Sequence, residues 1–382
     1  MTETLGDTTV NQPPIPRSRI GVAGAGAVFD AYAEGLAWYG DLPIIRVADI
    51  DVGRARAKAE LHHIPAYGTP EELYADPDVD VVVNITPPVA HWAVTRDALA
   101  AGKHVYSEKP IAATVELARV NLEQARAAGR VLAGAPDTFL GTAGQTARAA
   151  IDDGLIGTPF AATSFVRSSK VETKHPNPAF FYQAGGGPTL DWGPYHVAAL
   201  VNLLGPIAEV AGASVIPTPR IAVTAPGRVV DEVEVTVPTT TAALLRTVSG
   251  AIISTLYSFD IWDTTLPHLE VYGTQGTLIV PNPNHHDAPV LIKRRADQDW
   301  SELDPVLPPT CDPHVRLFRG HGVNDLVESL RGAPLRVSGE FALHVLEVLE
   351  AIEQATFAGG ARAITSRAAQ PAPIVVPRAL SR

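Results

Sequence analysis

The sequence predicts an α/β protein in two parts. A doubly wound parallel sheet comes first, then an α+β domain with a large open, mainly antiparallel sheet. Three observations predict this. From Arg19 to Ala133, short apolar strands alternate with helical segments across short loops, the pattern of a parallel sheet covered on both faces. From Phe160 the chain becomes strand-rich, with hairpin-like turns at Ser249-Gly250 and Thr274-Gln275-Gly276, which pair neighbours antiparallel. At 382 residues the chain also exceeds the usual size of one hydrophobic core.

Residues 1–18 are polar and proline-bearing and read as a tail without the basic start and apolar run of a signal peptide. Residues 19–139 make the first domain. Arg19 to Ala23 is its first strand, the glycine-bearing run Gly24-Ala25-Gly26-Ala27-Val28-Phe29 follows, and a helix runs to about Trp38. Ile44 to Ala48 is the next strand, ending at Asp49, and Val52 to Leu61 a helix. Val79 to Ile85 is almost wholly apolar, as a strand buried on both faces should be. Thr86-Pro87-Pro88 turns into a helix from His91 to Ala101, and a strand to Tyr106 leads into Ser107-Glu108-Lys109-Pro110. A helix from Thr114 to Ala128 and a strand from Val131 to Ala133 complete this part. Residues 140–367 form the second domain, closed by amphipathic helices over Val323 to Leu330 and Glu340 to Phe357. Residues 368–382 are an Ala/Pro-rich tail.

Composition narrows the function. A net charge of −11, with no long block of one sign, argues against nucleic acid and anionic membrane as partners. The lone cysteine, Cys311, permits neither an intrachain disulfide nor a cysteine metal cluster and fits a reducing cytoplasm. His285-His286-Asp287 has no third ligand at a telling spacing, so no metal site is expected.

Gly24-x-Gly26 between a strand and a helix offers a tight turn, close backbone approach and a helix N-terminus, which a dinucleotide pyrophosphate needs. Phe29 occupies the usual third glycine position. Asp49, at the end of the next strand, can accept hydrogen bonds from both ribose hydroxyls and repel a 2′-phosphate, favouring NAD over NADP, with Arg54 close enough to soften the discrimination. The expected cofactor-binding residues are Gly24, Gly26, Ala27, Val28, Phe29, Asp49, Thr86, Pro87, His91, Glu108 and Lys109. Lys109 before Pro110 suits an ammonium aimed rigidly into a cleft, through an expected cis bond. In Gly185-Gly186-Gly187-Pro188-Thr189-Leu190-Asp191-Trp192-Gly193-Pro194-Tyr195-His196, the glycines allow close approach to a ligand. Asp191, Tyr195 and His196 supply an acid, a phenol and an imidazole for acid–base work on an alcohol. Arg167, Lys170, Lys174 and His175 form a basic loop suited to an anionic or polyhydroxyl substrate.

With these motifs in this order, and Ser338-Gly339-Glu340 with His344 in the last helix, the chain resembles the Gfo/Idh/MocA family (glucose–fructose oxidoreductase, inositol dehydrogenase and rhizopine-catabolism proteins) over roughly Arg19 to Phe357. The resemblance implies a Rossmann domain binding a nicotinamide cofactor. It also implies a sugar or polyol substrate and a C-terminal sheet used for homo-oligomerisation, as dimer or tetramer. By position it makes Lys109 the catalytic or substrate-orienting lysine and Asp191 the substrate-contacting acid. Many members carry His four residues after that Asp; here the position holds Tyr195, and His196 comes fifth. The base is therefore Tyr195, His196, or Lys109 itself with its pKa lowered by burial. The expected catalytic set is Lys109, Asp191, Tyr195 and His196, with Lys109, Arg167, Lys170, Lys174, His175, Asp191 and His196 facing substrate. The expected reaction is NAD-dependent hydride transfer at a sugar hydroxyl carbon. The alternative is a redox-neutral glycoside hydrolase or lyase working by transient oxidation, elimination and re-reduction, on an anionic sugar.

Overall fold

The structure, a computed structural model, describes residues 18–168, 171–309, 318–355 and 359–374. The first domain holds strands β1 (Ile20–Ala23), β2 (Ile44–Ala48), β3 (Ala66–Gly68), β4 (Val81–Asn84), β5 (His104–Ser107) and β6 (Leu132–Gly134). All pair in parallel, in the order β3-β2-β1-β4-β5-β6, the doubly wound arrangement expected for a Rossmann sheet. Helices α1 (Phe29–Tyr39), α2 (Val52–Leu61), α3 (Pro70–Ala75), α4 (His91–Ala100) and α5 (Val115–Ala127) connect them. Val81, Val82 and Val83 are fully buried, which accounts for their unbroken apolar run.

Sequence reasoning passed over β3 and α3. The strand has three residues at the sheet's edge, too short for a period to show. The helix did carry a legible start: Pro70 sits in its first turn, and Thr69 and Glu72 form a reciprocal capping box.

The second part contains α6 (Thr142–Asp152), β7 (Pro159–Arg167), α7 (Ala179–Tyr182), α8 (Gly187–Asp191), α9 (Gly193–Leu204), β8 (Ile207–Val215), β9 (Arg220–Ala222) and β10 (Glu232–Glu234). It continues with β11 (Thr240–Thr247), β12 (Ile252–Ser258), β13 (Leu269–Gly273), β14 (Gly276–Val280), β15 (Leu291–Arg294) and β16 (Ser301–Glu302). Helices α10 (His321–Leu330) and α11 (Gly339–Glu353) and strand β17 (Arg362–Ala363) end it. Its nine-stranded sheet runs β16-β15-β14-β13-β7-β12-β11-β8-β17. Every pairing is antiparallel except β7 with β12. Those two strands are separated by three helices and four strands, so no hairpin dictates their direction.

One face of this sheet is covered. Helix α9 is buried along its whole length and packs on β7, α6 and α11. The opposite face carries exposed Leu244 and Ile252. Helix α11 also returns to the first domain: Gly134 N–H donates to the Val337 carbonyl at 3.0 Å and Ala133 bridges Ser338. Rossmann sheet and open sheet thus share α11, and the cleft between them has a fixed wall. Among the described residues no helix is long and apolar enough to cross a membrane.

Candidate active site

Parallel strands bring their carboxyl ends to one edge, and there the candidate cofactor loops converge. Gly24 follows β1 at φ 106°, where a Cβ would stand 2.9 Å from the Ile85 carbonyl oxygen. Gly26 faces open space with nothing within 4 Å of a Cβ. No side chain caps α1. A bare helix N-terminus beside an unobstructed glycine fits a pyrophosphate. Ala27 and Val28 are exposed at this mouth. Phe29 is not: its ring is fully buried against His62, and its N–H donates to the Gly26 carbonyl at 3.2 Å. It anchors the helix rather than facing a cofactor.

Asp49 ties the loop to β2. Its Oδ2 accepts from Ala25 N–H at 2.9 Å, and its Oδ1 accepts from Asp51 N–H at 2.9 Å and from Arg54 at 3.1 Å. The Arg54 guanidinium therefore sits where Asp49 was expected to repel a 2′-phosphate.

The Thr86-Pro87-Pro88 turn is shaped by Asn84, a fully buried residue sequence reasoning missed. Its Oδ1 accepts from the Thr86 hydroxyl at 2.7 Å and its amide donates to the His91 carbonyl at 3.0 Å. Thr86 is half-buried and Pro87 exposed at the edge. His91, expected at the cofactor, has both ring nitrogens on backbone carbonyls: Nδ1 at 2.6 Å from Pro110 and Nε2 at 2.7 Å from Thr86. A neutral imidazole has one N–H, so it donates to one of these carbonyls and packs against the other, bridging the two loops. Burial lowers its pKa while those carbonyls and Glu108 work to raise it.

Glu108 is likewise committed within the protein. Its Oε1 accepts from the Tyr32 hydroxyl at 2.9 Å and its Oε2 from Lys109 N–H at 2.8 Å. The Lys109–Pro110 peptide is cis. Lys109 Nζ donates to the Asp191 carbonyl at 2.8 Å and to Asp191 Oδ1 at 3.1 Å, and lies 5.3 Å from the Tyr195 ring centre. Burial alone would lower the Lys109 pKa, but Tyr195, Asp191 and Glu108 together hold it above the ordinary value. The raised pKa favours the ammonium and counts against the alternative in which burial lowers the Lys109 pKa so that Lys109 itself is the base.

Helix α8 ends at Asp191 and α9 begins at Gly193, where a Cβ would press on Leu349 at 2.6 Å. Across this break Asp191 and Tyr195 both line a cavity of about 460 Å³, together with Lys109, Lys174, His175 and Asn284. His196, one residue on, is turned about 100° round the helix and faces the sheet. It is fully buried, its Nδ1 is 2.8 Å from Ser164 Oγ, and burial drives its pKa down to about 3. It leaves both the catalytic and the substrate-facing sets. The glycine run was expected to approach a ligand; a Cβ on Gly186 would meet the Phe180 carbonyl at 2.3 Å, while Gly185 and Gly187 take positive φ of 88° and 83°, so chain packing at Gly186 and backbone conformation at its two neighbours account for the glycines.

Lys174 is exposed at the cavity rim. His175 packs its ring on Phe180 and Phe181, with centroids 5.2 and 5.8 Å away. Arg167 donates to the Leu266 carbonyl and does not line the cavity. Lys170 and Cys311 lie outside the described residues. Among the described residues no cluster could hold a metal ion.

A further residue enters from a distance in sequence. Arg319 is buried and donates to the Tyr195 hydroxyl oxygen at 3.2 Å and to Asn284 Oδ1 at 3.3 Å, with Glu108 Oε1 3.9 Å from its Nε. Burial works against its charge, but Tyr195, Glu108 and Asp137 outweigh burial and keep its pKa raised. The run Arg319-Gly320-His321-Gly322, opening α10, was the one sequence signal for it.

Residues 18–135 match the oxidoreductase family with an NAD-binding Rossmann fold, and residues 145–279 match the GFO/IDH/MocA C-terminal domain. The chain belongs to the Gfo/Idh/MocA family. Its first domain is the NAD-binding domain of that family. Among curated relatives, a 1,5-anhydro-D-fructose reductase of Ensifer adhaerens is 45% identical over 25% of this chain and 28% of its own. A trans-1,2-dihydrobenzene-1,2-diol dehydrogenase of Macaca fuscata fuscata is 34% identical over 42% of this chain and 48% of its own. The chain thus spans about half or less of the length of these two relatives. An NAD binding oxidoreductase from Klebsiella pneumoniae superposes with a TM-score of 0.79 at 25% identity, over 92% of this chain and 100% of that one.

Proposed function

We propose that this protein is an NAD-dependent oxidoreductase acting at a hydroxyl-bearing carbon of a sugar, polyol or related cyclic diol. The observation that carries the reading is the grouping of Lys109, Tyr195 and Asp191 in one cavity, with Lys109 on the same sheet edge as the open glycine loop. The nicotinamide, when bound, supplies or accepts the hydride. Lys109 and Tyr195 converge on the substrate oxygen. Tyr195 Oη gives that oxygen a proton in the reducing direction and takes it back in the oxidising direction. The Lys109 ammonium offsets negative charge developing on the oxygen. Asp191, already held by Lys109, keeps an oxygen for a second hydroxyl and so fixes which carbon is presented. Relatives named for an anhydro sugar and for a dihydrodiol support a ring bearing adjacent oxygens. Gly24, Gly26 and Asp49 hold the cofactor, and Lys174 and His175 meet the far end of the substrate.

The test is a panel of 1,5-anhydro-D-fructose with NADH, and methyl glucosides and trans-1,2-dihydrobenzene-1,2-diol with NAD, followed by nicotinamide absorbance. Cofactor turnover with at least one is expected. Glycoside cleavage with no net change in the nicotinamide would overturn the reading in favour of redox-neutral chemistry.

The exposed Leu244 and Ile252 on the open sheet are the face through which a second copy packs in this reading. A monomer by sedimentation would dismiss that part of it.

A further inference from the structure

Arginine carries five N–H donors and no acceptor. Any oxygen it touches must therefore accept, and this constrains two groups in the cavity wall. The Arg319 guanidinium contacts Tyr195 through its hydroxyl oxygen at 3.2 Å and Asn284 through Oδ1 at 3.3 Å. It also lies over the Tyr195 ring, 5.6 Å from its centre. Arg319 itself cannot turn away. It is buried, its NH1 donates to the Phe318 carbonyl at 2.9 Å, and Glu108 Oε1 is 3.9 Å from its Nε.

The Tyr195 proton must then point away from Arg319. Tyr195 is nearly buried and lines the cavity, so the remaining direction is toward substrate. The same logic settles the Asn284 amide, whose two ends are otherwise interchangeable by shape. Oδ1 faces the guanidinium, which leaves the Nδ2 hydrogens turned to the cavity that Asn284 lines. Lys109 spends two donors on Asp191 and keeps its third.

We propose that Arg319 is a positioning residue that sets the polarity of the cavity, holding Tyr195 and Asn284 by their oxygens so that both turn hydrogen-bond donors to the substrate. The wall then presents Lys109 Nζ–H, Tyr195 Oη–H and Asn284 Nδ2–H as donors, against the Asp191 carboxylate as acceptor. The matching substrate is richer in acceptor oxygens than in donors around its reacting centre, as a hydroxyketone is. Asn284 discriminates among substrates by an acceptor oxygen near that ketone. Arg319 touches neither substrate nor cofactor and works through its two partners. This rests on the reading of Tyr195 as the proton carrier.

Two measurements test it. In a double-mutant cycle, 1,5-anhydro-D-fructose reduction by NADH is followed for Tyr195→Phe, Arg319→Lys and the double variant. Arg319→Lys alone should slow kcat about 10- to 100-fold, the rate equivalent of one charge-assisted hydrogen bond. In the Tyr195→Phe background it should slow kcat less than threefold (~), because the oxygen it holds is gone. Equal losses in both backgrounds would make Arg319 merely structural and overturn the proposal. Asn284→Asp should raise KM about tenfold or more with a smaller effect on kcat; an unchanged KM also counts against the proposal. Wild-type turnover by Tyr195→Phe would sink the proton-carrier reading instead. The second measurement needs no turnover: neutron diffraction of the NAD-loaded protein. Deuterium on Tyr195 Oη and on Asn284 Nδ2 facing the cavity is expected. An Asn284 amide nitrogen facing Arg319, or a Tyr195 deuteron directed elsewhere than the cavity, overturns the proposal.

Discussion

Lys109 Nζ sits 2.8 Å from the backbone carbonyl and 3.1 Å from the carboxylate of Asp191, so one side chain of the NAD-binding domain closes on the C-terminal domain. The backbone contact matters as much as the charge, since it fixes the ammonium even when Asp191 turns to a ligand. Glu108, behind it, holds the Lys109 N–H and is itself held by Tyr32. The lysine is thereby positioned from both ends.

Lys109→Met should therefore remove turnover and leave the cofactor half intact. A loss of about 100-fold or more in kcat is expected, with NAD affinity within threefold (~) of the wild type. Calorimetric titration with NAD beside a turnover assay checks both. A variant that turns over normally would remove Lys109 from the chemistry.

Tyr195→Phe and His196→Asn should separate two adjacent residues that the sequence alone could not. Tyr195 lines the cavity and His196 faces the sheet. Tyr195→Phe is expected to lower kcat about 100- to 10,000-fold with little effect on thermal stability. His196→Asn is expected to retain kcat within a few fold (~) and to lower the melting temperature, because it disturbs a fully buried contact with Ser164. The reverse pattern would return the role to the imidazole.

The sequence held this architecture clearly where periodicity was long. The alternation from β1 to β6 without the edge strand β3, and the strand series from β7 to β15 without the three-residue β9, could be read, because each buried face imposes its own period over many residues. Lys109 and Asp191 were also legible, since a lysine before proline at a strand end and an acid after a glycine run are unusual local chemistry. Arg319 and Asn284 were not. They come from loops more than 80 residues (~) beyond Asp191, and only tertiary packing brings them to Tyr195. His91 and His196 were misassigned for the converse reason. A histidine looks functional in sequence, yet His91 is held between two backbone carbonyls and His196 is buried against Ser164, contacts that no local pattern reveals.

Acid should destabilise the fold through His196 and His344. Burial lowers the His344 pKa to about 4 and that of His196 to about 3. His344 Nε2 accepts from Ile207 N–H at 3.0 Å, a bond that protonation would abolish. For both groups the folded pKa lies below the ordinary 6.5, so the unfolded chain takes up protons first. Their stabilising contribution is full above pH 6.5 and is lost as pH falls toward the folded values. Between pH 6.5 and 4 each accounts for about 3 kcal/mol. His344→Gln should flatten the fall in melting temperature between pH 6.5 and 4 by roughly half of the two-histidine effect. An unchanged slope would show that His344 does not titrate as its burial demands.

Glycines 24 and 26 give the last and sharpest test of the cofactor loop, because space separates what the motif combines. Gly24 has a positive φ of 106°, and a Cβ there would lie 2.9 Å from the Ile85 carbonyl oxygen and 3.0 Å from the Thr86 nitrogen. Both neighbours are backbone and cannot step aside. Gly24→Ala should cost stability outright, by about 1–3 kcal/mol, and weaken NAD binding as a consequence. Gly26 is different. Nothing lies within 4 Å of its Cβ position and no positive φ excludes a side chain, so Gly26→Ala should melt within about 1 °C of the wild type. Its added methyl nevertheless stands at the bare N-terminus of α1, where a pyrophosphate must approach the backbone. NAD affinity should therefore fall about tenfold or more in a protein of undiminished stability. Titration of both variants with NAD, beside thermal melts, decides it. If Gly26→Ala binds NAD as tightly as the wild type, the pyrophosphate does not lie on this glycine.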